Sequence, residues 1–233
     1  MEVYTEHVRI LIVAATTMEV GPFFRKLQPA PSRGPAVRSY THGGHDVDGL
    51  VTGVGMVATA AWCSRVMAQT RYDVALNVGV CGSFDPTLKP GEVVHVTSDR
   101  LAELGAEDGE TFLTIQELAQ LGENEFPFTW GELVNPAPPA NATLSRLPAV
   151  NGITVNTVHG NARSIAAVTE RFKPQVESME GASFMYTCRI HDVVFAQVRA
   201  ISNFVEIRNR AAWKMADAIG RLGETALSIL DHV

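Results

Sequence analysis

At 233 residues and 25.2 kDa, with 46% hydrophobic and 19% charged residues, the chain has material for a two-faced core and no tract polar enough to stay unfolded. A net charge of -6 and a pI near 5.6 exclude a phosphate-backbone footprint, which rests on clustered Lys and Arg, and favour small-molecule partners over nucleic acid. The three cysteines, Cys63, Cys81 and Cys188, are odd in number and form no CxxC pair, so they define neither a disulfide framework nor a zinc site and read as small buried apolar residues.

The chain opens with MEVYTEH, acidic where a secretory leader is basic, and its apolar run at 10–15 is too short for a membrane span. A cytoplasmic protein with no membrane contact is expected. Apolar, β-branched runs at 8–15, 47–52, 73–79, 92–97, 153–158 and 193–202 predict strands, most of them too continuously apolar to have a wet face. Helical spacing falls between them at 57–69, 164–172, 180–191 and 210–232; in the last, Trp213, Ala216, Ile219, Ala226 and Leu230 predict one stripe against the sheet. This alternation predicts one domain over residues 1–233, an α/β three-layer α/β/α sandwich around a central β-sheet.

The first strand ends in "VAATTMEV", a polar turn in which Glu19 is either an ordinary surface group or, if buried, a carboxylate able to deprotonate water. "TGVGMVATA" places Gly53, Gly55 and Ala58 in a GxGxxA spacing, formally a dinucleotide fingerprint, but no acidic residue closes the next strand where a ribose would need one. The glycines still imply a close backbone approach, to a ligand or to a neighbouring helix. "NVGVCGSF" puts Gly79 and Gly82 at a strand end, as a turn or a ligand crevice. From 100 to 148 the pattern weakens, and prolines at 127, 136, 138 and 139 predict a long irregular loop whose Phe126, Phe128 and Trp130 either line a substrate or pack on the body.

Past the loop, His159 in "TVHG" is either structural or a proton relay, since imidazole titrates near neutrality. "VESMEGASF" carries Glu177 and Glu180 around Met179; Glu180 suits either a helix cap or the paired hydroxyls of a ribose. "RAISNFVEIRNR" ends an apolar run on Ser202 and Asn203, followed by Arg208 and Arg210, which either pair with Glu206 or fork onto a ligand carboxylate.

Taken in order and spacing, "VAATTMEV", "TGVGMVATAA", "NVGVCGSF", "ESMEGASF" and "VRAISN" resemble the purine nucleoside phosphorylase and methylthioadenosine nucleosidase superfamily. "TVNTVHGNA" and "RAISNFVEIRNRAAW" are most similar to its futalosine hydrolases, which act in the alternative menaquinone pathway. The resemblance implies a central mixed sheet of the nucleoside phosphorylase type, and hydrolysis of an N-glycosidic bond that releases hypoxanthine and leaves a dehypoxanthine futalosine sugar. Glu19 falls where the nucleosidases keep the water-activating glutamate, Glu180 where they grip the ribose and Met179 under the sugar. Asn203 stands where the methylthioadenosine enzymes carry an aspartate that protonates adenine. An amide donates its NH2 to a 6-oxo group and accepts from N7–H, which a carboxylate cannot do, so Asn203 is expected to select 6-oxopurines. The proton for the leaving base is then unassigned. Catalysis is expected from Glu19 and Asn203, and substrate binding from Gly82, His159, Met179, Glu180, Ser202 and Arg208, the last toward the benzoate of futalosine. Neither a cofactor nor a metal is expected, and the resemblance implies a homo-oligomer, a dimer or larger. Rival readings are a phosphorylase, a methylthioadenosine nucleosidase, a nucleoside-binding protein without catalysis and a dehydrogenase.

Overall fold

The computed structural model describes residues 7–233; residues 1–6, on which the expectation about a leader falls, lie outside the described residues. Strand β1 (Arg9–Ala14) shows why the runs are apolar throughout. Ile10, Ile12 and Ala14 enter one core cluster while Leu11 and Val13 enter another, so alternate side chains serve opposite faces and neither face is wet. The chain continues through α1 (Thr17–Phe24), β2 (Gln28–Pro29), β3 (Arg38–His42), β4 (His45–Val51), α2 (Met56–Gln69), β5 (Val74–Ser83) and β6 (Val93–Leu101). A hairpin of β7 (Gly105–Asp108) and β8 (Thr111–Thr114) follows, then β9 (Leu133–Val134), β10 (Ala149–Thr154), α3 (Ala162–Phe172), β11 (Val176–Ser178), α4 (Gly181–Ile190), β12 (Val194–Phe204) and α5 (Met215–Leu230).

Ten strands form one mixed sheet in the order β11-β10-β6-β12-β5-β1-β4-β3-β2, with β9 on β6. Helices α1 and α5 pack on one face, through Phe23, Leu222, Ala226 and Ile229; α2 and α4 cover the other, through Cys63, Val66, Phe184 and Met185. This is the three-layer α/β/α arrangement the sequence predicts. One end of the sheet rolls up: β11 pairs antiparallel with β5 as well as parallel with β10, so β5, β11, β10, β6 and β12 close into a ring. The three cysteines are buried and free. Among the described residues no helix is long and apolar enough to cross a membrane.

Several elements differ from the sequence pattern, each for a local reason. The polar turn expected after β1 is the eight-residue helix α1, which a capping box between Thr16 and Glu19 starts and which continues through Pro22; the Gly21-Pro22 pair reads as a breaker and hides it. The expected irregular stretch at 100–148 holds the β7–β8 hairpin, whose strands are largely solvent-facing and so lack an apolar period, and β9. Phe128 of that stretch is buried 5.9 Å from the Tyr186 ring, while Phe126 and Trp130 face solvent, so the loop packs on the body. The strand expected at 153–158 lies four residues earlier, which frees Val158 and His159 from the sheet. The expected helix at 210–232 is divided: Arg210–Ala212 is a short 3-10 turn, the Lys214 amide bonds the Ser202 carbonyl at 2.9 Å, and α5 begins at Met215. Its core stripe runs through Ala218, Ile219, Leu222, Ala226, Ile229 and Leu230, leaving Ala216 exposed and Trp213 outside the helix.

Candidate active site

Strands β5 and β12 run parallel and end side by side, and their ends set the site. The pairing slips between Ile201 and Asn203, which face Cys81 and Gly82 in turn, so Ser202 is an extra residue. A bulge of this kind re-aims the next side chain. It turns Asn203 into a cavity of about 270 Å3 between the ends of β1, β5, β11 and β12. Glu19, Gly82, His159, Met179, Glu180, Ser202, Asn203 and Arg208, the eight residues singled out from the sequence, all line this cavity. A larger hollow of about 800 Å3 beside β3 and β4 contains none of them and no carboxylate.

Glu19 is buried at 6% exposure. Its Oε2 accepts from the Thr16 amide at 2.9 Å and the Thr16 hydroxyl at 2.8 Å, and its Oε1 accepts from the Val80 amide at 3.1 Å. The capping box therefore fixes a carboxylate at the end of β5, with one lone pair of Oε1 left over for a water. The surface reading of Glu19 does not hold.

Glu180 precedes α4 but makes no capping hydrogen bond through its side chain. Instead Oε1 accepts from the Gly55 amide at 3.1 Å and Oε2 lies 3.5 Å from Arg199 Nη1. Gly55, at φ +98°, belongs to the GxGxxA segment; its amide meets a side chain of the protein, which explains the glycine without a dinucleotide phosphate. Beneath Glu180 a polar network anchors the start of α4. Thr154 Oγ1 accepts from the Ala182 amide at 2.7 Å and donates to Asp99 Oδ1 at 2.9 Å, and Gln197 Nε2 donates to Asp99 Oδ2 at 2.9 Å. Burial pushes the Asp99 carboxyl up to about 7, against the hydrogen bond from Thr154 and the charge of Arg199.

Sequence reasoning missed Arg199. It is 1% exposed on β12, bonds Asn77 Oδ1 through Nη2 and faces the α4 side of the sheet, as Gln197 does. A Cβ on Gly79 would collide with its guanidinium and stand 2.9 Å from Glu19 Oε1, so this glycine leaves the space that both side chains border. The available signal was an arginine inside "VFAQVRAIS", where a charge has no reason to be unless it is paired.

Glu177 is also buried, on β11, and takes His159 Nδ1 at 2.6 Å on one oxygen and the His159 backbone amide at 3.0 Å on the other. Arg208 stacks over the Trp213 ring at 5.5 Å, and both line the cavity. Among the described residues Glu206 makes no ion pair with Arg208 or Arg210, so the bracing role does not appear; Arg210 lies in the 3-10 turn, off the cavity wall.

Asn203 Nδ2 donates to the Phe204 carbonyl at 2.8 Å, and Ser202 Oγ donates its one hydrogen to Asn203 Oδ1 at 2.7 Å, nearer than the Cys81 carbonyl at 3.1 Å. A carbonyl can only accept, so the amide cannot be turned over without setting oxygen against oxygen. One N–H and one lone pair of Asn203 remain for a ligand. With Glu19, Glu177, Glu180 and Glu206 on its wall, the cavity suits a group that gains positive charge.

A family model described as Phosphorylase superfamily matches residues 9–233. The futalosine hydrolase of Streptomyces coelicolor is 31% identical over 183 residues, 75% of this chain and 74% of that protein. The futalosine hydrolase of Thermus thermophilus is 30% identical over 78% of this chain and 80% of that one. Among solved structures, an S-adenosylhomocysteine nucleosidase from Streptococcus pyogenes superposes with a TM-score of 0.79 at 16% identity, covering 98% of both chains. A 5'-methylthioadenosine/S-adenosylhomocysteine nucleosidase from Colwellia psychrerythraea gives 0.78 at 18% identity over 98% of this chain and 97% of that chain.

Proposed function

Because the chain belongs to the phosphorylase superfamily, we propose that it is a nucleosidase which hydrolyses the N-glycosidic bond of futalosine, releasing hypoxanthine and dehypoxanthine futalosine. The observation that carries this reading is the fixed Asn203 amide. Its free N–H meets the 6-oxo group and its free lone pair accepts from N7–H of the departing base; a 6-amino purine would face the same N–H with a donor of its own.

As the bond to N9 stretches, C1' of the ribose acquires oxocarbenium character, and the carboxylates on the wall stabilise it. Glu19 orients a water toward C1' and takes its proton, a role worth about a hundredfold to ten-thousandfold. Glu180 holds the ribose hydroxyls, with Met179 beneath the sugar and Gly82 giving the base room beside Asn203. Arg208, spread on Trp213, takes the benzoate carboxylate at the rim. The reading takes the chain as a single domain over residues 1–233, acting in the cytoplasm without cofactor, nucleic acid or membrane. It includes a homo-oligomer, which suits the exposed Val54 on the cavity wall and the exposed Val57 at the start of α2.

Phosphorolysis is the rival from the same superfamily. It would need backbone amides at the end of β5 for the anion, and the Val80 amide is given to Glu19, a carboxylate that repels phosphate. The test offers futalosine, inosine, aminodeoxyfutalosine and methylthioadenosine in phosphate-free buffer and identifies the liberated base. Hypoxanthine from futalosine is expected, with Glu19→Gln losing turnover while still binding; adenine as the preferred product, or a requirement for phosphate, overturns the reading.

A further inference from the structure

Asn203 holds the base but cannot protonate it, since an amide has no proton to release near neutrality. Glu19 and Glu180 are each met by donors, Thr16 and Val80 for one and Gly55 and Arg199 for the other, which is the setting of an acceptor and not of an acid. The hydrolysis therefore needs another group to deliver a proton to the purine.

His159 is the imidazole on the cavity wall. Glu177, 4% exposed, binds its backbone amide with Oε1 and its Nδ1 with Oε2, so the loop and the ring are held by one carboxylate. A carboxylate only accepts, so Nδ1 carries a hydrogen and Nε2 is the nitrogen left to exchange protons. Nε2 has no partner among the described residues, and it is not among their buried unpaired atoms, so it reaches open space. The edge of Phe84, 6.2 Å between ring centroids, limits the ring on another side.

The pair stands beside the base-holding amide. Gly82 is flanked on one side by Glu177 of β11 and on the other by Asn203 of β12. A Cβ at Gly82 would lie 3.6 Å from both Glu177 Cγ and Asn203 Nδ2, so the carboxylate that holds His159 and the amide flank one bare glycine.

Building on the futalosine reading, we propose that His159, held by Glu177, delivers the proton that the leaving base takes up at N7. The C1'–N9 electron pair passes into the purine as N7 takes a proton from His159 Nε2, and the N7–H so formed is then held by Asn203 Oδ1. Water oxygen bonds C1' and its proton goes to Glu19; Glu19 returns a proton to solvent and His159 recovers one from it, so the net reaction consumes one water. Glu177 is a positioning residue in this scheme.

The charged groups near the ring are Glu177 in direct contact, Arg208 across Gly160, and Glu206 on the same wall. Futalosine hydrolysis is measured across pH for the unsubstituted protein, His159→Asn and Glu177→Gln, with melting curves to establish folding. His159→Asn is expected to lose about a hundredfold or more in kcat with KM within about threefold, and to lack the alkaline fall in kcat expected of the unsubstituted protein. Glu177→Gln keeps the ring and is expected to lose less, with the alkaline limb displaced; it also carries the test if His159→Asn does not fold. A kcat loss below about tenfold, a loss expressed mainly in KM, or an alkaline limb unchanged in both variants overturns the proposal. Failure of the unsubstituted protein to release hypoxanthine overturns the substrate reading itself, a result distinct from an active His159→Asn protein.

Discussion

Asn203 spends one N–H on the Phe204 carbonyl and one lone pair on Ser202, and the remaining pair of bonding positions fits a 6-oxopurine. Replacing it with Asp removes the N–H, so a 6-oxo group would face an acceptor, and a protonated carboxyl would instead suit a 6-amino base. Asn203→Asp is expected to shift the ratio of kcat/KM for futalosine over aminodeoxyfutalosine toward the amino substrate by about a hundredfold or more, measured by the base released. An unchanged ratio would show that the base is selected elsewhere. The residue type and its place after an apolar run were legible in the sequence. Its orientation was not, because it depends on a carbonyl and a hydroxyl presented by the bulge.

Strand β5 is the element on which the site is hung. Its end carries Gly79, against Arg199 and Glu19; the Val80 amide, bonded to Glu19; and Gly82, between Glu177 and Asn203. Two glycines in "NVGVCGSF" looked like a turn or a ligand crevice, and both belong to the strand, as places where side chains from other elements come close. A methyl at Gly79 would push on the buried guanidinium and the carboxylate together. Gly79→Ala is expected to lower kcat about a hundredfold and stability by about 1–3 kcal/mol, read by steady-state assay and denaturant melts. Full activity would mean that Arg199 and Glu19 can each shift without consequence. Helix α1 shows the opposite limit of local reading, since Gly21-Pro22 disguised a helix that the Thr16–Glu19 capping box and packing against α5 stabilise.

At the scale of the molecule, the rolled end of the sheet buries Asp99 completely, and burial raises its carboxyl from the ordinary 3.8 to about 7. Below pH 3.8 the group is protonated folded or unfolded and contributes no difference; above about 7 it is ionised in both and the fold carries the cost of a buried charge. Between those values the folded state holds a proton that the unfolded chain releases, so stability falls as pH rises through the window. The loss is on the order of a few kcal/mol, and it is expected to be much smaller in Asp99→Asn. Gln197 Oε1, buried and without a partner among the described residues, offers an acceptor to the new amide once the glutamine turns over. Melting temperatures of the two proteins from pH 4 to 8 check this; parallel curves would remove Asp99 from the pH dependence.

The amino-acid order by itself determined the layered α/β class, because strands buried on both faces must be apolar throughout and helices over them must carry a stripe. It also determined the chemical types available at the site, since Glu19, Glu180, His159 and Asn203 each sit where an apolar run stops or a helix starts. Only the tertiary structure decided which of them meet. The closure of β11 onto β5, the bulge at Ser202 and the burial of Arg199 under Glu180 join residues more than a hundred positions apart in places. Those contacts depend on strand register and on the space left by missing side chains, and neither is written in the periodicity of any one segment.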